Sequence, residues 1–429
     1  MGAVVLMKKN VFRLAVTILP VALVALGIAL AQIPAPSASQ ASSAARPALP
    51  PLPPPQDVPK PGPATDEPYQ PLALMPGGVV LTLFPPGSPY LNMARIKEPE
   101  VYAMSKAVPG RVSNITNIHN PSIEFHAVEG GLNTGTVMIL AAGGGHNTLN
   151  VGGEANDFVP FFYNYGVNTV ILRNRLRTSG YNPQTDEVYD AQQAIRLVRA
   201  HAQDWHLDPN KIGIMGFSAG AELSAPAAVQ FEDFDKKNSD PSDPLAGISS
   251  RPDFVGIIYP GPSPFARGRT APAIPRNAPP AFIAGAGSGD YQHAQWALDY
   301  FQAMLTMHIP NIEIHLYAQG KHPGDRLDDG SSMSGGLTDR NNIPYGTWQY
   351  RMIDWMKDLG LLQKPGIETK AAKDITAYMA APPPGQGRGA FGGSGFGGRG
   401  GSGRGGRGGF GASGIGGPAG AAVPAGPGR

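Results

Sequence analysis

Ser218 stands at the centre of Gly216-Phe217-Ser218-Ala219-Gly220, between the apolar run Ile212–Met215 and a small-residue segment able to begin a helix. A serine placed this way sits at the tip of a tight strand-to-helix turn, with a strained backbone and an exposed hydroxyl. The turn is so close that the residues two before and two after the serine must lack a side chain. A serine hydroxyl is a poor nucleophile until a base takes its proton, so the pentapeptide predicts a histidine and an orienting carboxylate elsewhere. Gly and Ser also build ordinary loops, and the pentapeptide alone does not separate the two cases.

Asp290 is the best acid. It follows the apolar strand Ala281–Ala284 through Gly285-Ala286-Gly287-Ser288-Gly289, read as a loop that turns the carboxylate into a crevice. Its plainer role is to cap the helix containing Trp296, Leu298 and Tyr300; Asp299 lies inside that helix and is less suitable. His322 is the best base, a few residues after the strand Ile312–Tyr317 on the turn Gln319-Gly320-Lys321-His322. His201 and His206 lie on or just after a helix ahead of the elbow, His315 is within a strand, and His293 is close to Asp290 and placed to line the pocket. The order serine, acid, histidine is the one in which a strand-turn-helix serine finds its partners. Gly143-Gly144-Gly145-His146 follows the strand Thr136–Ala141 directly. Glycines there let backbone N–H groups approach a developing oxyanion, together with the N–H of Ala219. No His/Asp/Glu set has a recognisable metal-ligand spacing, and such a triad needs no ion, so neither metal nor cofactor is expected.

These residues must be held by regular elements. Thr136–Ala141, Asn168–Leu172, Lys211–Met215, Phe254–Tyr259, Ala281–Ala284 and Ile312–Tyr317 read as buried strands. Tyr189–Ala202 carries Ala191, Ala194, Ile195 and Val198 at helical spacing, with Arg196 and Arg199 on its other face, and a closing helix runs from Gly346 to about Leu359. Alternation of helices with near-continuous apolar strands predicts an α/β fold, a mostly parallel sheet covered on both faces. Ligand sites in such sheets lie at the carboxyl ends of the strands, where all three chemical features fall.

The chain has 429 residues, no cysteine, and a net charge of +2 with 15% charged residues. Disulfides and a lipid-modified N-terminal cysteine are excluded, and no global bias towards polyanions exists. Lys8 and Lys9 precede an apolar stretch from Val11 to Leu30 that ends in Ala29-Leu30-Ala31, so residues 1–31 read as an export signal cleaved after Ala31, with an uncleaved anchor as the alternative. Residues 32–74 read as a Pro/Ala/Ser-rich linker, 75–363 as the catalytic domain with its core at 112–363, 364–379 as a short connector, and 380–429 as a disordered Gly/Arg-rich tail. The polar stretch Pro323–Pro344 reads equally as a lid over the site or a surface loop.

The run Gly143–His146, then Glu154, then Val170-Ile171-Leu172-Arg173-Asn174-Arg175-Leu176 resembles the acetylxylan-esterase-like branch of the α/β-hydrolases. In that branch a Pro-Gly-Gly-Gly-Tyr loop is followed by an acidic residue and a Tyr-Arg-Leu strand end. Similarity continues through Asp190–Arg199, Leu207–Gly213, Met215–Gly220 and Asp253–Pro260, and covers about Ile115–Leu362. The resemblance implies an α/β-hydrolase fold, a serine, acid and histidine at Ser218, Asp290 and His322, and an oxyanion loop at Gly144 and Gly145. Three departures stand out. The usual elbow continuation Gly-Gly-His-Leu is Gly220-Ala221-Glu222-Leu223, the usual Pro before the glycine loop is Ala142, and the usual Tyr is His146. The triad is untouched, while His146 and Glu222 mark an altered pocket.

The expected function is therefore a secreted or periplasmic carboxylic ester hydrolase acting on small-molecule or polysaccharide esters, acetyl or feruloyl groups above all. A serine peptidase of prolyl-oligopeptidase type shares the triad order, but the segment ahead of the domain leaves no room for the β-propeller such enzymes carry. The Arg-Gly-Gly repeats with Phe391, Phe396 and Phe410 also fit single-strand nucleic-acid binding. Export argues against that role, and no stable nucleic-acid partner is expected. The sequence does not fix an oligomeric state.

Overall fold

A computed structural model describes residues 66–106, 109–323 and 347–384. Every described residue belongs to one compact unit. The export signal at 1–31, most of the linker, the loop 324–344 and the tail beyond 384 lie outside the described residues. Among the described residues, no helix is long and apolar enough to cross a membrane.

The apolar runs form an eight-stranded sheet. Its strands are β1 (Val79–Thr82), β4 (Ser122–His126), β5 (Val137–Ala141), β6 (Asn168–Arg173), β7 (Ile212–Phe217), β8 (Phe254–Ile258), β9 (Ala281–Ser288) and β10 (Glu313–Gln319), while β2 (Val101–Met104) and β3 (Val112–Thr116) pair separately. The order across the sheet is β1-β4-β6-β5-β7-β8-β9-β10. β4 runs antiparallel to both β1 and β6, and the remaining neighbours are parallel. Every residue of β5, β7 and β8 is buried, which is why their sequences lack the alternation of half-exposed strands.

Helices cover both faces. Alternate side chains of β5 divide between two cores: Ile139 packs with residues of α2 (Asp186–Ala200), α3 (Ala219–Ala227) and α5 (Tyr291–Thr306), while Met138 and Leu140 pack with α1 (Phe158–Tyr163) and α6 (Trp348–Asp358). A short α4 (Phe231–Lys237) follows α3. This is the α/β-hydrolase fold. A last helix, α7 (Lys370–Ala380), occupies the segment read as connector, and its Ala371 is buried.

One local expectation needs correction. The segment Gly285–Ser288 is strand rather than loop, because β10 pairs alongside it as far as Gln319 with Ser288. Arg196, off the apolar stripe of α2, is itself buried. Its guanidinium donates to the Ile248, Asn238 and Leu245 carbonyls and to Asp243, so its charge is satisfied inside the fold.

Candidate active site

The elbow is built as its residue types demand. β7 ends at Phe217, α3 begins at Ala219, and Ser218 between them has φ 51° and ψ −116°, in a region β-substituted residues rarely enter. The strain is held by neighbours, since Ser218 N–H donates to the Ile258 carbonyl and its own carbonyl accepts from Gly261 and Glu222. A Cβ on Gly216 would fall on the Gly220 carbonyl, and one on Gly220 would fall on the Ala141 carbonyl of β5. Both positions are closed to any other residue.

The parallel register of β9 and β10 then delivers the partners. Asp290 follows β9 by two residues and His322 follows β10 by three, so both reach the same edge. Ser218 Oγ lies 2.8 Å from His322 Nε2, and His322 Nδ1 lies 3.4 Å from Asp290 Oδ2. Asp290 occupies the N-cap position of α5 yet makes no side-chain capping bond, because its carboxylate is turned to the histidines. Burial raises its proton affinity, but the hydrogen bond from His293 and the nearness of His322 outweigh this and hold the carboxyl below its usual range. Tyr259, itself at φ 35°, stands edge-on to the His322 ring at 5.3 Å.

The glycine loop approaches the serine closely. A Cβ on Gly143 would come within 2.8 Å of Ser218 Cβ and 2.6 Å of the Phe217 carbonyl oxygen. Gly144 has φ 134°, and a Cβ there would meet the Thr148 carbonyl. The loop turns because Asn147 donates to the Gly144 carbonyl and Asn150 to that of Gly143. Ala219 opens α3, so its N–H has no acceptor within the helix, and the residue lines the cavity beside Ser218.

His146 and Glu222, separated by 76 residues, meet at 3.0 Å. The other nitrogen of His146 is 2.8 Å from Glu187 Oε2. Burial works against its charge, yet the bonds to Glu187 and Glu222 prevail and push the imidazole up to about 9. Two of the departures from the family pattern are therefore partners of each other. Arg269 approaches the second Glu222 oxygen at 3.5 Å. A cavity of about 470 Å³ opens beside Ser218, lined by Arg177, Glu222, Arg269 and Trp296 among others. A second cavity of about 460 Å³ lies at the amino ends of β7 and β8, by Lys211, Arg251 and Asp253, away from this chemistry.

Three residues acquire weight that sequence reasoning did not give them. Glu154, on a single π-helical turn (Gly152–Asn156), accepts Gly143 N–H at 2.7 Å and the Tyr259 hydroxyl at 3.0 Å. Its only signal in the sequence was an acidic residue after the glycine loop. Tyr259, just past a strand end, gave none. His293 donates towards Asp290 Oδ1 at 2.5 Å and stacks on His322, with ring centroids 3.6 Å apart and planes 8° from parallel. One donor atom each of Asp290, His293 and His322 thus falls within 4.8 Å of the others, a convergence that their chain spacing concealed.

Residues 129–251 match the BD-FAE family model. The resemblance to the acetylxylan-esterase branch is borne out. An endo-1,4-beta-xylanase B of Butyrivibrio fibrisolvens is 32% identical over 124 residues, 29% of this chain and 19% of that protein. An acetylxylan esterase of Xylanibacter ruminicola is 33% identical over 127 residues, 30% of this chain and 23% of that protein. The chain thus spans about a fifth of the length of these curated relatives. The BD-FAE match holds Ser218, the glycine loop and Glu222 but ends before Asp290 and His322. Among solved structures, an acetyl ester-xyloside bifunctional hydrolase from Caldicellulosiruptor lactoaceticus is 21% identical, with a TM-score of 0.47 over 66% of this chain and 97% of that one. The esterase Est2 of Thermogutta terrifontis is 19% identical, with a TM-score of 0.44 over 58% and 93%.

Proposed function

We propose that this chain is an exported serine esterase whose substrates are acetyl or related acyl esters of carbohydrates. The observation that carries the reading is Ser218 Oγ at 2.8 Å from His322 Nε2, with Asp290 on the far side of the same ring. Ser218 attacks the ester carbonyl carbon while His322 Nε2 takes the hydroxyl proton. The carbonyl oxygen becomes an oxyanion, held by the N–H groups of Gly144, Gly145 and Ala219. Collapse of this intermediate expels the alcohol, to which His322 returns the proton. Water then repeats the sequence on the acyl-serine, releasing the acid and the free enzyme.

Sugar esters are favoured on two grounds. The matched relatives are a xylanase and an acetylxylan esterase. The cavity beside Ser218 offers Arg177 and Arg269 as donors and Trp296 as an apolar face, groups suited to hydroxyls and to the flat side of a sugar ring. The basic start and apolar run ending at Ala31 support export.

The test is hydrolysis of p-nitrophenyl acetate, acetylated xylo-oligosaccharides, feruloyl esters and short peptides by wild type and Ser218→Ala. Loss of about 10⁴-fold or more in the variant is expected. Undiminished ester hydrolysis by Ser218→Ala would sink the assignment, and peptide cleavage in place of ester cleavage would favour the peptidase reading.

A further inference from the structure

We propose that Asp290, His293 and His322 form a zinc site, and that an ion bound there holds the enzyme inactive. The metal site stands on its own geometry; its inhibitory consequence rests on the serine-esterase reading above.

The triad needs one histidine on Asp290, and here there are two. His293 Nδ1 takes Oδ1 at 2.5 Å, and His322 Nδ1 faces Oδ2 at 3.4 Å. The two rings lie parallel at 3.6 Å, with one nitrogen of each beside one oxygen of the same carboxylate. One ligating atom from each residue falls within a 4.8 Å span. Tetrahedral zinc with bonds of about 2.0–2.2 Å needs ligand atoms roughly 3.3 Å apart, so the widest separation must close by no more than about 1.5 Å. Two imidazoles and a carboxylate, with a fourth position left for water, are a donor set that zinc accepts and that a hard ion such as magnesium does not favour. His293 lines the cavity beside Ser218, which gives the ion a route in from solvent.

Occupancy would block the chemistry through the tautomer. Zinc on Nδ1 of a neutral His322 leaves the ring proton on Nε2, the atom that must accept the proton of Ser218. The ion also takes the Asp290 charge that would otherwise stabilise the imidazolium. The serine then keeps its proton, and the ester is not attacked.

The experiment uses zinc chloride with the purified full chain and separates binding from turnover. In Ser218→Ala, calorimetry should show one saturable zinc per chain, and magnesium should show none. Adding His293→Asn or His293→Gln to that background should weaken zinc binding by more than the about 10–100-fold typical of losing an outer partner. In chains that keep Ser218, zinc should inhibit ester hydrolysis reversibly by chelator, and each His293 variant, compared with its own zinc-free rate, should lose that sensitivity. Zinc binding unchanged by both His293 substitutions, or no binding at all, overturns the site. Binding that depends on His293 without inhibition of an active esterase overturns the switch. Binding is read in a chain that already lacks the nucleophile, so failure of the esterase reading leaves that result intact.

Discussion

Glu154 joins the two walls of the candidate site with one carboxyl group: Oε2 accepts Gly143 N–H at 2.7 Å and Oε1 accepts the Tyr259 hydroxyl at 3.0 Å. Gly143 begins the loop proposed to hold the oxyanion, and Tyr259 stands against the ring of His322. A single side chain thereby ties the glycine loop to the residue that stands against His322. It is fully buried, and burial pushes its carboxyl up to about 7 although both hydrogen bonds pull the other way.

That shift has a sign for stability. The unperturbed value is 4.5 and the folded value about 7, so between them the folded chain keeps a proton that the unfolded chain releases. Stability is highest below about pH 4.5 as far as this group is concerned, and falls as pH rises through 7. The full loss is about 3 kcal/mol for a shift of this size. Glu154→Gln keeps an acceptor for Gly143 and removes the ionisation. Urea unfolding from pH 5 to 8 should show this component of the slope in wild type and its loss in the variant; parallel profiles would contradict the argument.

The His146–Glu222 contact yields a coupled prediction. His146 is raised from 6.5 to about 9, so its contribution is fully present below pH 6.5 and is lost as pH climbs through 9. Burial also pushes the Glu187 carboxyl up, which offsets part of the gain. Breaking a buried pair from one side leaves the other charge uncompensated. His146→Tyr and Glu222→His should each cost about 2 kcal/mol at pH 7, and the double variant, which restores the family's residues at both positions, should cost less than the sum. Thermal melts of the four proteins measure the coupling, and strict additivity would refute it.

Much of this was legible in the residues because strand ends advertise themselves. Ser218, Asp290, His322 and the glycine loop each follow an apolar run, and parallel strands bring such ends together. What was hidden depends on distance or on unusual burial. Nothing local marks His146 and Glu222 as partners, since only the crossing of the glycine loop over α3 joins them. Gly285–Ser288 lacks the branched and aromatic residues of a strand, and its pairing with β10 overrides that weak propensity. The burial of Arg196 was also hidden, because sequence shows the charge but not the three carbonyls and the carboxylate that satisfy it. His293 was visible as a neighbour of Asp290, whereas its stack on His322 requires two strand ends to meet.

Asp290 should act through the histidine rather than through the substrate. Asp290→Asn preserves shape but removes the charge and favours the wrong tautomer of His322. A fall in kcat of about 10⁴-fold is expected, with KM changed far less. Steady-state kinetics on p-nitrophenyl acetate make the comparison. A large rise in KM with kcat intact would instead place Asp290 in substrate binding.

Gly144 and Gly220 should separate catalysis from folding. Both would drive a new Cβ into a backbone carbonyl, but their surroundings differ. At Gly220 the obstacle is the Ala141 carbonyl, inside the fully buried strand β5, where neither partner can yield. Gly220→Ala should therefore give little folded protein. At Gly144 the obstacle is the Thr148 carbonyl, in a half-exposed loop that can move. The loop would relieve the contact by shifting, carrying its N–H groups away from the oxyanion. Gly144→Ala should thus fold, melt within a few degrees of wild type, and lose about 10²–10³-fold in kcat, the cost of removing one oxyanion donor. Melting curves and kcat measured on the same preparation decide it. Wild-type turnover in a well-folded Gly144→Ala would remove Gly144 from the oxyanion site.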